Sequence, residues 1–293
     1  MASRLPDFIM IGSAKCGTTS LCDDLDRHPD IGICTPKEPE FFCRPEQYAQ
    51  GLDWYTSLFE SMPKRTVGDG STQYTNRVEF PGTAEKIATH CPDAKLIMLV
   101  RNPVERCYSY WLQKLKNQDN FGGDADIPRD PDRALVEGSY LVESSKYIDE
   151  IREYTSRFDP SQLCVVIFER YKSDRAAVIR QLCAFLGEDP APLLGEQAVH
   201  SNRSADHFAT EQRTRIADAI KSIPGLGAIR KALPKQLRRR VLDASVSVAG
   251  GSSAPPRMSA GHEAMLRTWL WPSVRQLEDH LGEPIPEWAS CRP

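Results

Sequence analysis

The chain has 293 residues, of which 40% are hydrophobic, 8% aromatic and 26% charged. This balance is typical of a globular protein and excludes a collagen-like chain, a disordered tail and a membrane bundle, because no apolar run reaches the roughly 18 residues of a membrane span. With 37 basic and 40 acidic residues the net charge is −3, which excludes an attraction of the whole chain to nucleic acid or to an anionic membrane.

Cysteine usage and the first residues bear on the compartment. The nine cysteines form no CxxC pair, and this odd count predicts reduced thiols. Residues 1–7 lack the basic start and apolar stretch of a secretory signal, so we expect a cytoplasmic protein. The six histidines are scattered and form no HExxH motif, and the sequence therefore predicts no metal site.

Three continuous apolar runs are the strongest strand signals, and a helical pattern follows each of them. The runs are residues 7–11, 95–101 and 163–169, and the helical patterns are residues 18–27, 104–117 and 173–186. Residues 66–69 are a weaker strand candidate, followed by a helix at residues 83–90. Continuous apolar strands that alternate with helices predict an α/β fold of three layers, with a central parallel sheet flanked by helices and ligands at the carboxyl ends of the strands.

The whole chain, residues 1–293, is predicted to be a single domain that contains one insertion. Residues 201–257 are rich in proline, glycine and basic residues, which predicts a mobile basic insertion. Residues 259–281 regain helical apolar spacing, and we expect this helix to return to the main body.

The first strand leads into a loop of the sequence Gly-Ser-Ala-Lys-Cys-Gly-Thr-Thr-Ser, residues 12–20, which opens a helix. Glycines let the backbone wrap an anion, and a helix amino terminus offers free N–H groups, so this phosphate loop is predicted to bind phosphate. A Walker A loop places a lysine directly after its second glycine, where this chain has Thr18, whereas Lys15 precedes Gly17 by two residues. The pattern favours one 5′-phosphate over a triphosphate; the alternative is a simple glycine-rich turn.

A second motif follows the strand predicted at residues 95–101. Asn102 with Glu105 three residues later is a capping pattern, and Pro103 suits the first position of a helix. Arg101 then lies at the carboxyl end of the strand and Ser109 about two turns into the helix, where both can converge on a second phosphate. The alternative is a capped helix with a surface arginine.

In these two motifs the chain resembles the sulfotransferases that use 3′-phosphoadenosine-5′-phosphosulfate (PAPS), in the branch of the heparan sulfate sulfotransferases and many bacterial enzymes. Residues 6–20 look like the 5′-phosphosulfate loop of that family, and residues 101–109 look like its 3′-phosphate motif; residues 37–42 and 54–55 match between them. The resemblance implies in-line sulfuryl transfer without a metal. It implies a P-loop-like fold, the product adenosine 3′,5′-bisphosphate (PAP), and as acceptor a hydroxyl, less readily an amine, of a small molecule, a lipid or a carbohydrate.

The resemblance also implies roles for single residues. Sulfuryl transfer needs a cation for the leaving bridging oxygen and a base for the acceptor proton, and these are Lys15 and Glu38. Glu40 or a histidine is the alternative base. Relatives often have a lysine where this chain has Gly70, which removes one cation. The residues predicted to bind the nucleotide are Lys15, Cys16, Gly17, Thr18, Thr19, Ser20, Arg101, Ser109 and, in a closing loop, Arg203.

Two other functions remain compatible with the sequence. A P-loop kinase or other NTPase would share the loop but is disfavoured by the missing lysine after Gly17 and by the lack of a magnesium-binding carboxylate after a strand. A catalytically silent nucleotide-binding protein would bind the bisphosphate without transferring sulfur, and the departure at Gly70 keeps this alternative open.

Overall fold

The computed structural model describes residues 4–121, 127–195 and 255–293 of the chain. The strands in these ranges are β1 (Phe8–Gly12), β2 (Ile31–Ile33), β3 (Thr66–Asp69), β4 (Lys95–Val100) and β5 (Leu163–Ile167). These five strands are parallel and form one sheet in the spatial order β2-β3-β1-β4-β5. Every residue of β1, β2 and β3 is buried, as expected for a parallel sheet that is covered on both faces.

Helices connect and flank the strands. They are α1 (Thr18–Asp26), α2 (Pro45–Tyr48), α3 (Leu52–Glu60), α4 (Thr83–His90), α5 (Pro103–Phe121), α6 (Pro131–Ala134), α7 (Tyr140–Glu143), α8 (Tyr147–Thr155), α9 (Phe168–Ser173), α10 (Arg175–Leu186), α11 (Ala191–Leu194) and α12 (Ala260–Leu281), with 3-10 turns at Pro160–Gln162 and Pro286–Cys291. The predicted α/β fold, a P-loop-like arrangement with a central parallel sheet flanked by helices, is confirmed.

The apolar runs located four of the strands, including the weaker candidate that became β3. The sequence missed β2, because a run of three residues with a glycine in its middle is too short to show a pattern. The last predicted run was also two residues too long, since β5 ends at Ile167 and α9 begins at Phe168. The first difference adds an edge strand to the sheet and the second shifts one boundary, and the order of the predicted elements is unchanged.

The strand order creates a crevice between β1 and β4. From β1 the chain crosses to β2 at one edge of the sheet, whereas from β4 it crosses to β5 at the other edge. Connections that leave two neighbouring strands in opposite directions open a crevice outside their carboxyl ends, where ligands of α/β proteins bind. The phosphate loop follows β1 and Arg101 follows β4, so both predicted phosphate-binding motifs lie at this crevice.

The chain divides into two compact units. The first consists of Met1–Tyr110, Leu135–Ser201 and Ala260–Pro293, and the second of Trp111–Ala134 and Asn202–Ser259. The sheet belongs to the first unit, and so does α12, which packs on α8 and buries the apolar residues of the predicted helix. The predicted insertion lies outside the described residues except for its last three positions. The single-domain organisation stays a prediction.

Candidate functional site at the carboxyl ends of the strands

The phosphate loop requires glycine where it enters α1. Gly17 caps the helix with a φ of 88°, in the left-handed region that favours glycine. A Cβ at this position would lie 2.3 Å from Cε2 of Phe168, so a side chain would also collide with the aromatic ring. The tight turn leaves the first N–H groups of α1 without intrahelical partners, which is the geometry of an anion site.

Two buried side chains hold the phosphate loop from beneath. Arg106 of α5 donates from its Nε to the Ala14 carbonyl at 3.0 Å. The Tyr147 hydroxyl lies 3.5 Å from Sγ of Cys16, a residue of the loop. The side chains of Arg106, Tyr147 and Cys16 are each at most 2% exposed. Burial raises the pKa of the Cys16 thiol, against the opposing effect of Arg106. Cys16 therefore points away from the crevice and offers a ligand its backbone alone.

The other loop residues differ in how far they reach solvent. Lys15 is half-buried. Its φ of 70° lies in the left-handed region, which is strained for a lysine. Thr18 is buried, Thr19 is exposed and Ser20 is half-buried. Lys15, Thr19 and Ser20 are thus accessible to solvent in the loop and the first turn of α1, and their binding of a nucleotide stays a prediction.

Arg101 forms the second arm of the crevice. The Tyr147 hydroxyl donates to the Arg101 carbonyl at 2.8 Å and accepts from its N–H at 3.3 Å. The guanidinium donates to Glu105 Oε2 at 2.6 Å, and its Cζ lies 5.4 Å from the centroid of the Phe168 ring. Its Nε is buried without a hydrogen-bond partner among the described residues. Tyr147 and Phe168 each contact both arms.

The start of α5 has the predicted cap. The Asn102 side-chain oxygen accepts from the Glu105 N–H at 3.2 Å, and the helix begins at Pro103. The Glu169 carboxylate accepts from the Asn102 N–H at 3.0 Å, which fixes the turn between β4 and the helix. Ser109 is half-buried and follows Glu105 by four residues, so the two residues lie on the same face of α5. Because Glu105 pairs with Arg101, this face is the one near Arg101.

The predicted base lies next to the phosphate loop. Glu38 Oε1 pairs with Lys37 Nζ at 3.0 Å, and Glu38 Oε2 accepts from the Thr72 hydroxyl at 3.2 Å. Lys37 Nζ also lies 3.1 Å from Oγ1 of Thr19 in the phosphate loop. The structure therefore brings residues 37–42, here named the Glu38 segment, to the loop that they were predicted to serve.

Two of the alternative bases, Glu40 and His262, are engaged elsewhere, whereas His200 and His207 lie outside the described residues. Glu40 Oε2 accepts from Arg44 Nε at 2.6 Å, and the Glu40 N–H donates to the Ser71 hydroxyl. The partner carboxylate raises the pKa of Arg44, although burial opposes this. His262 is buried and its Nε2 lies 2.8 Å from the Leu135 carbonyl. These contacts favour Glu38, whose carboxylate alone among the three groups is tied to the phosphate loop.

A buried aspartate shapes the turn after β3. Asp69 accepts from the hydroxyls of Tyr55 and Tyr74 at 2.9 and 2.8 Å and from the Ser71 N–H at 2.8 Å. Burial raises the pKa of Asp69 to about 6, against the lowering effect of these hydrogen bonds. The turn that it holds carries Thr72, the partner of Glu38.

Sequence reasoning missed several of these groups. Lys37, Arg106 and Tyr147 acquire their roles from residues distant in the chain; the signals were the position of Arg106 in the Arg101 motif and that of Lys37 in residues 37–42. Arg203 lies outside the described residues. Among the residues with described positions, no cluster of three or more potential metal ligands occurs. None of the helices described above is long and apolar enough to cross a membrane.

Comparison with known proteins gives the following matches. A family model described as a sulfotransferase domain matches residues 5–220. The bifunctional heparan sulfate N-deacetylase/N-sulfotransferase 1 of Caenorhabditis elegans is 25% identical over 283 residues, which cover 92% of this chain and 32% of that protein. The heparan sulfate glucosamine 3-O-sulfotransferase 3B1 of Mus musculus is 31% identical over 189 residues, which cover 64% of this chain and 47% of that protein.

A solved structure has the same fold. The sulfotransferase from Alicyclobacillus acidocaldarius superposes with a TM-score of 0.63 at 22% identity and covers 97% of this chain and 99% of its own. The two curated relatives above are longer, since the matched region spans 32% of one and 47% of the other.

Proposed function

Since the chain belongs to the sulfotransferase domain family, we propose that it transfers a sulfuryl group from PAPS to a hydroxyl, less readily an amine, of an acceptor. The observation that carries the proposal is the pair of phosphate-binding arms at one crevice, the loop with Lys15 after β1 and Arg101 after β4, tied together by Tyr147. A nucleotide with phosphates at both its 5′ and 3′ positions needs such a pair.

In this proposal each arm binds one part of the nucleotide. The phosphate loop holds the 5′-phosphosulfate, with Lys15 beside the bridging oxygen on which negative charge develops. Arg101 and Ser109 take the 3′-phosphate. Because the terminal nitrogen of Arg101 is paired with an exposed glutamate, a phosphate can replace that carboxylate without breaking a buried contact.

Glu38 completes the site on the acceptor side. Its carboxylate takes the acceptor proton while the acceptor oxygen forms a bond to sulfur and the bond between sulfur and the bridging oxygen breaks, so that PAP leaves with the electron pair. With a side chain 34% exposed, Glu38 is open to an acceptor that enters from solvent. Two relatives are named for heparan sulfate, which supports a carbohydrate among the proposed acceptors ahead of a lipid or another small molecule. The cytoplasmic location stays a prediction.

Two measurements on the full chain test the proposal. Calorimetric titration compares PAP with ATP plus magnesium, and radiolabelled PAPS is incubated with desulfated heparan sulfate, a glycolipid and p-nitrophenol as acceptors. We expect PAP to bind tightly and ATP to bind weakly. We also expect radiolabelled sulfur to be transferred to at least one of the three acceptors.

Other outcomes identify the rival functions. Preference for ATP with magnesium would overturn the proposal in favour of a kinase or another NTPase. Binding of PAP with no label in any acceptor would favour a silent nucleotide-binding protein. Lys64→Met serves as a control for the loss of a lysine, because Lys64 donates to the His28 carbonyl and lies before β3, at the other end of the sheet.

A further inference from the structure

Lys37 places a positive charge between the phosphate loop and the predicted base. Its Nζ lies 3.1 Å from Thr19 Oγ1 on one side and 3.0 Å from Glu38 Oε1 on the other. Thr19 is in the first turn of α1, where the donor phosphosulfate is proposed to bind. The ammonium is thus one contact away from both the donor and the group that takes the acceptor proton.

The absence of a side chain at residue 70 lets Lys37 follow this path. The Gly70 N–H donates to the Lys37 carbonyl at 3.0 Å, which fixes the two backbones side by side. A Cβ on Gly70 would lie 3.1 Å from Lys37 Cγ and 3.0 Å from the Lys37 carbonyl oxygen, so a side chain there would compete with Lys37 for the same space. The Lys37 side chain is 26% exposed, so its ammonium can exchange partners without breaking a fully buried contact.

We propose that Lys37 is a further catalytic residue, whose ammonium binds the non-bridging oxygens of the sulfuryl group during transfer. This inference rests on the proposed function. As the acceptor O–H bond breaks, the proton goes to Glu38, which loses its negative charge and with it the attraction for Lys37. At the same time the S–O bond to the nucleotide breaks and leaves its electron pair on the phosphate.

During transfer, negative charge is lost from Glu38 and develops on the transferring sulfuryl group and the leaving phosphate. The ammonium of Lys37, which lies beside Glu38 and Thr19, can move with this charge. Lys37 forms and breaks no covalent bond. Its ammonium leaves the Glu38 carboxyl group, which has become neutral, and pairs with the sulfuryl oxygens beside Thr19. An interaction that becomes stronger in the transition state lowers the barrier, whereas an equal interaction with substrate and transition state does not. The alternative is that Lys37 only positions Glu38.

The first test measures turnover of the full chain with radiolabelled PAPS and the acceptors desulfated heparan sulfate and p-nitrophenol. For Lys37→Met we expect kcat to fall by roughly 10²-fold or more, as for the removal of one transition-state donor, while Lys37→Arg retains part of the activity. In a Glu38→Gln background, Lys37→Met should lower kcat again. If the second substitution has no effect there, Lys37 acts only through Glu38 and the proposal is wrong.

The second test needs no acceptor. Lys37→Met is expected to weaken binding of PAPS by roughly threefold or more and to leave PAP affinity within about twofold, since only PAPS carries the sulfuryl group. A loss of PAPS affinity as large as the loss of kcat/KM for PAPS would show an equal contact in substrate and transition state, and would overturn the proposal. A wild-type protein that transfers no sulfur while showing the PAPS-specific loss would overturn the proposed function and keep the sulfuryl contact.

A matched control separates Lys37 from lysines in general. Lys64 is also half-buried, and it too passes over a glycine. A Cβ on Gly32 would lie 2.7 Å from Lys64 Cγ, compared with 3.1 Å for Gly70 and Lys37 Cγ. Lys64 lies before β3, at the end of the sheet opposite to Gly70 and the proposed site. Lys64→Met should therefore change neither PAPS affinity nor kcat. A loss as large as that of Lys37→Met would assign both effects to stability and contradict the inference.

Discussion

The two sides of the crevice hold their functional groups in different ways. On the nucleotide side, the phosphate loop and Arg101 are fixed by the buried side chains of Arg106 and Tyr147. On the acceptor side, the buried rings of Phe41 and Phe42 anchor the Glu38 segment, whereas its charged side chains form partly exposed ion pairs, Lys37 with Glu38 and Arg44 with Glu40. The difference indicates that the contacts of the nucleotide side are formed in advance, whereas the charged side chains of the acceptor side can exchange partners when a ligand binds.

The physical reason is the cost of leaving a buried charge without partners. Arg106 is 2% exposed and donates to the Ala14 carbonyl and to the hydroxyls of Ser144 and Ser145, so losing any of these contacts is expensive. An exposed ion pair contributes only about 0–1 kcal/mol, so Lys37 and Glu38 can exchange partners at little cost. Rigidity suits a donor that is the same in every turnover.

Removing the charge of the phosphate loop is expected to have the largest effect. Lys15→Ala should lower kcat by roughly 10²- to 10³-fold, because the bridging oxygen loses its cation in the transition state. PAP affinity should change by less than about tenfold, since the pre-formed loop and Arg101 remain. Steady-state kinetics and calorimetry measure both quantities, and turnover close to wild type would show that Lys15 does not have this role.

The two glutamates of the acceptor side should differ from each other. Glu38→Gln is expected to lower kcat by about 10²-fold or more, because general base catalysis is lost, while PAP affinity stays unchanged. Glu40→Gln, which removes the negative charge that pairs with Arg44, is the matched control and should lower kcat by less than about tenfold. If Glu40→Gln has the larger effect on kcat, the base is Glu40 and the assignment to Glu38 is wrong.

The buried turn after β3 should make stability depend on pH. The pKa of Asp69 is about 6 in the folded chain against an ordinary value of 3.8, so the folded state binds the proton more tightly. This contribution is complete below about pH 4 and is lost as pH rises through 6, by up to about 3 kcal/mol. Denaturant unfolding of wild type and Asp69→Asn across this range measures it, and two parallel pH profiles would contradict the shifted pKa.

The smallest predicted effect concerns the pair formed by Arg101 and Glu105. Glu105→Gln should raise PAP affinity by up to about fivefold at low ionic strength, because the phosphate no longer displaces a carboxylate that is itself exposed. The gain should shrink as salt is added. Calorimetric titration at two salt concentrations measures it, and weaker PAP binding by the variant would indicate that Glu105 supports the site.

Local patterns carried most of what the sequence revealed about the site. The loop before α1 and the Asn102 cap depend on neighbouring residues, so both were predictable. The contact between Arg106 and Ala14 spans 92 residues and depends on the packing of β1 beside β4, which no local pattern encodes. The path of Lys37 over Gly70 depends likewise on two segments meeting, and the sequence showed only a missing side chain at residue 70.

The central claim is that Arg101 recognises a 3′-phosphate while the loop after β1 holds the 5′-phosphate. Calorimetric titration of wild type and Arg101→Gln with PAP and with adenosine 5′-monophosphate, which lacks the 3′-phosphate, tests it directly. The account predicts that the variant loses roughly 10- to 100-fold in affinity for PAP and less than about twofold for the monophosphate. Equal losses for both nucleotides, or no loss for PAP, would contradict it.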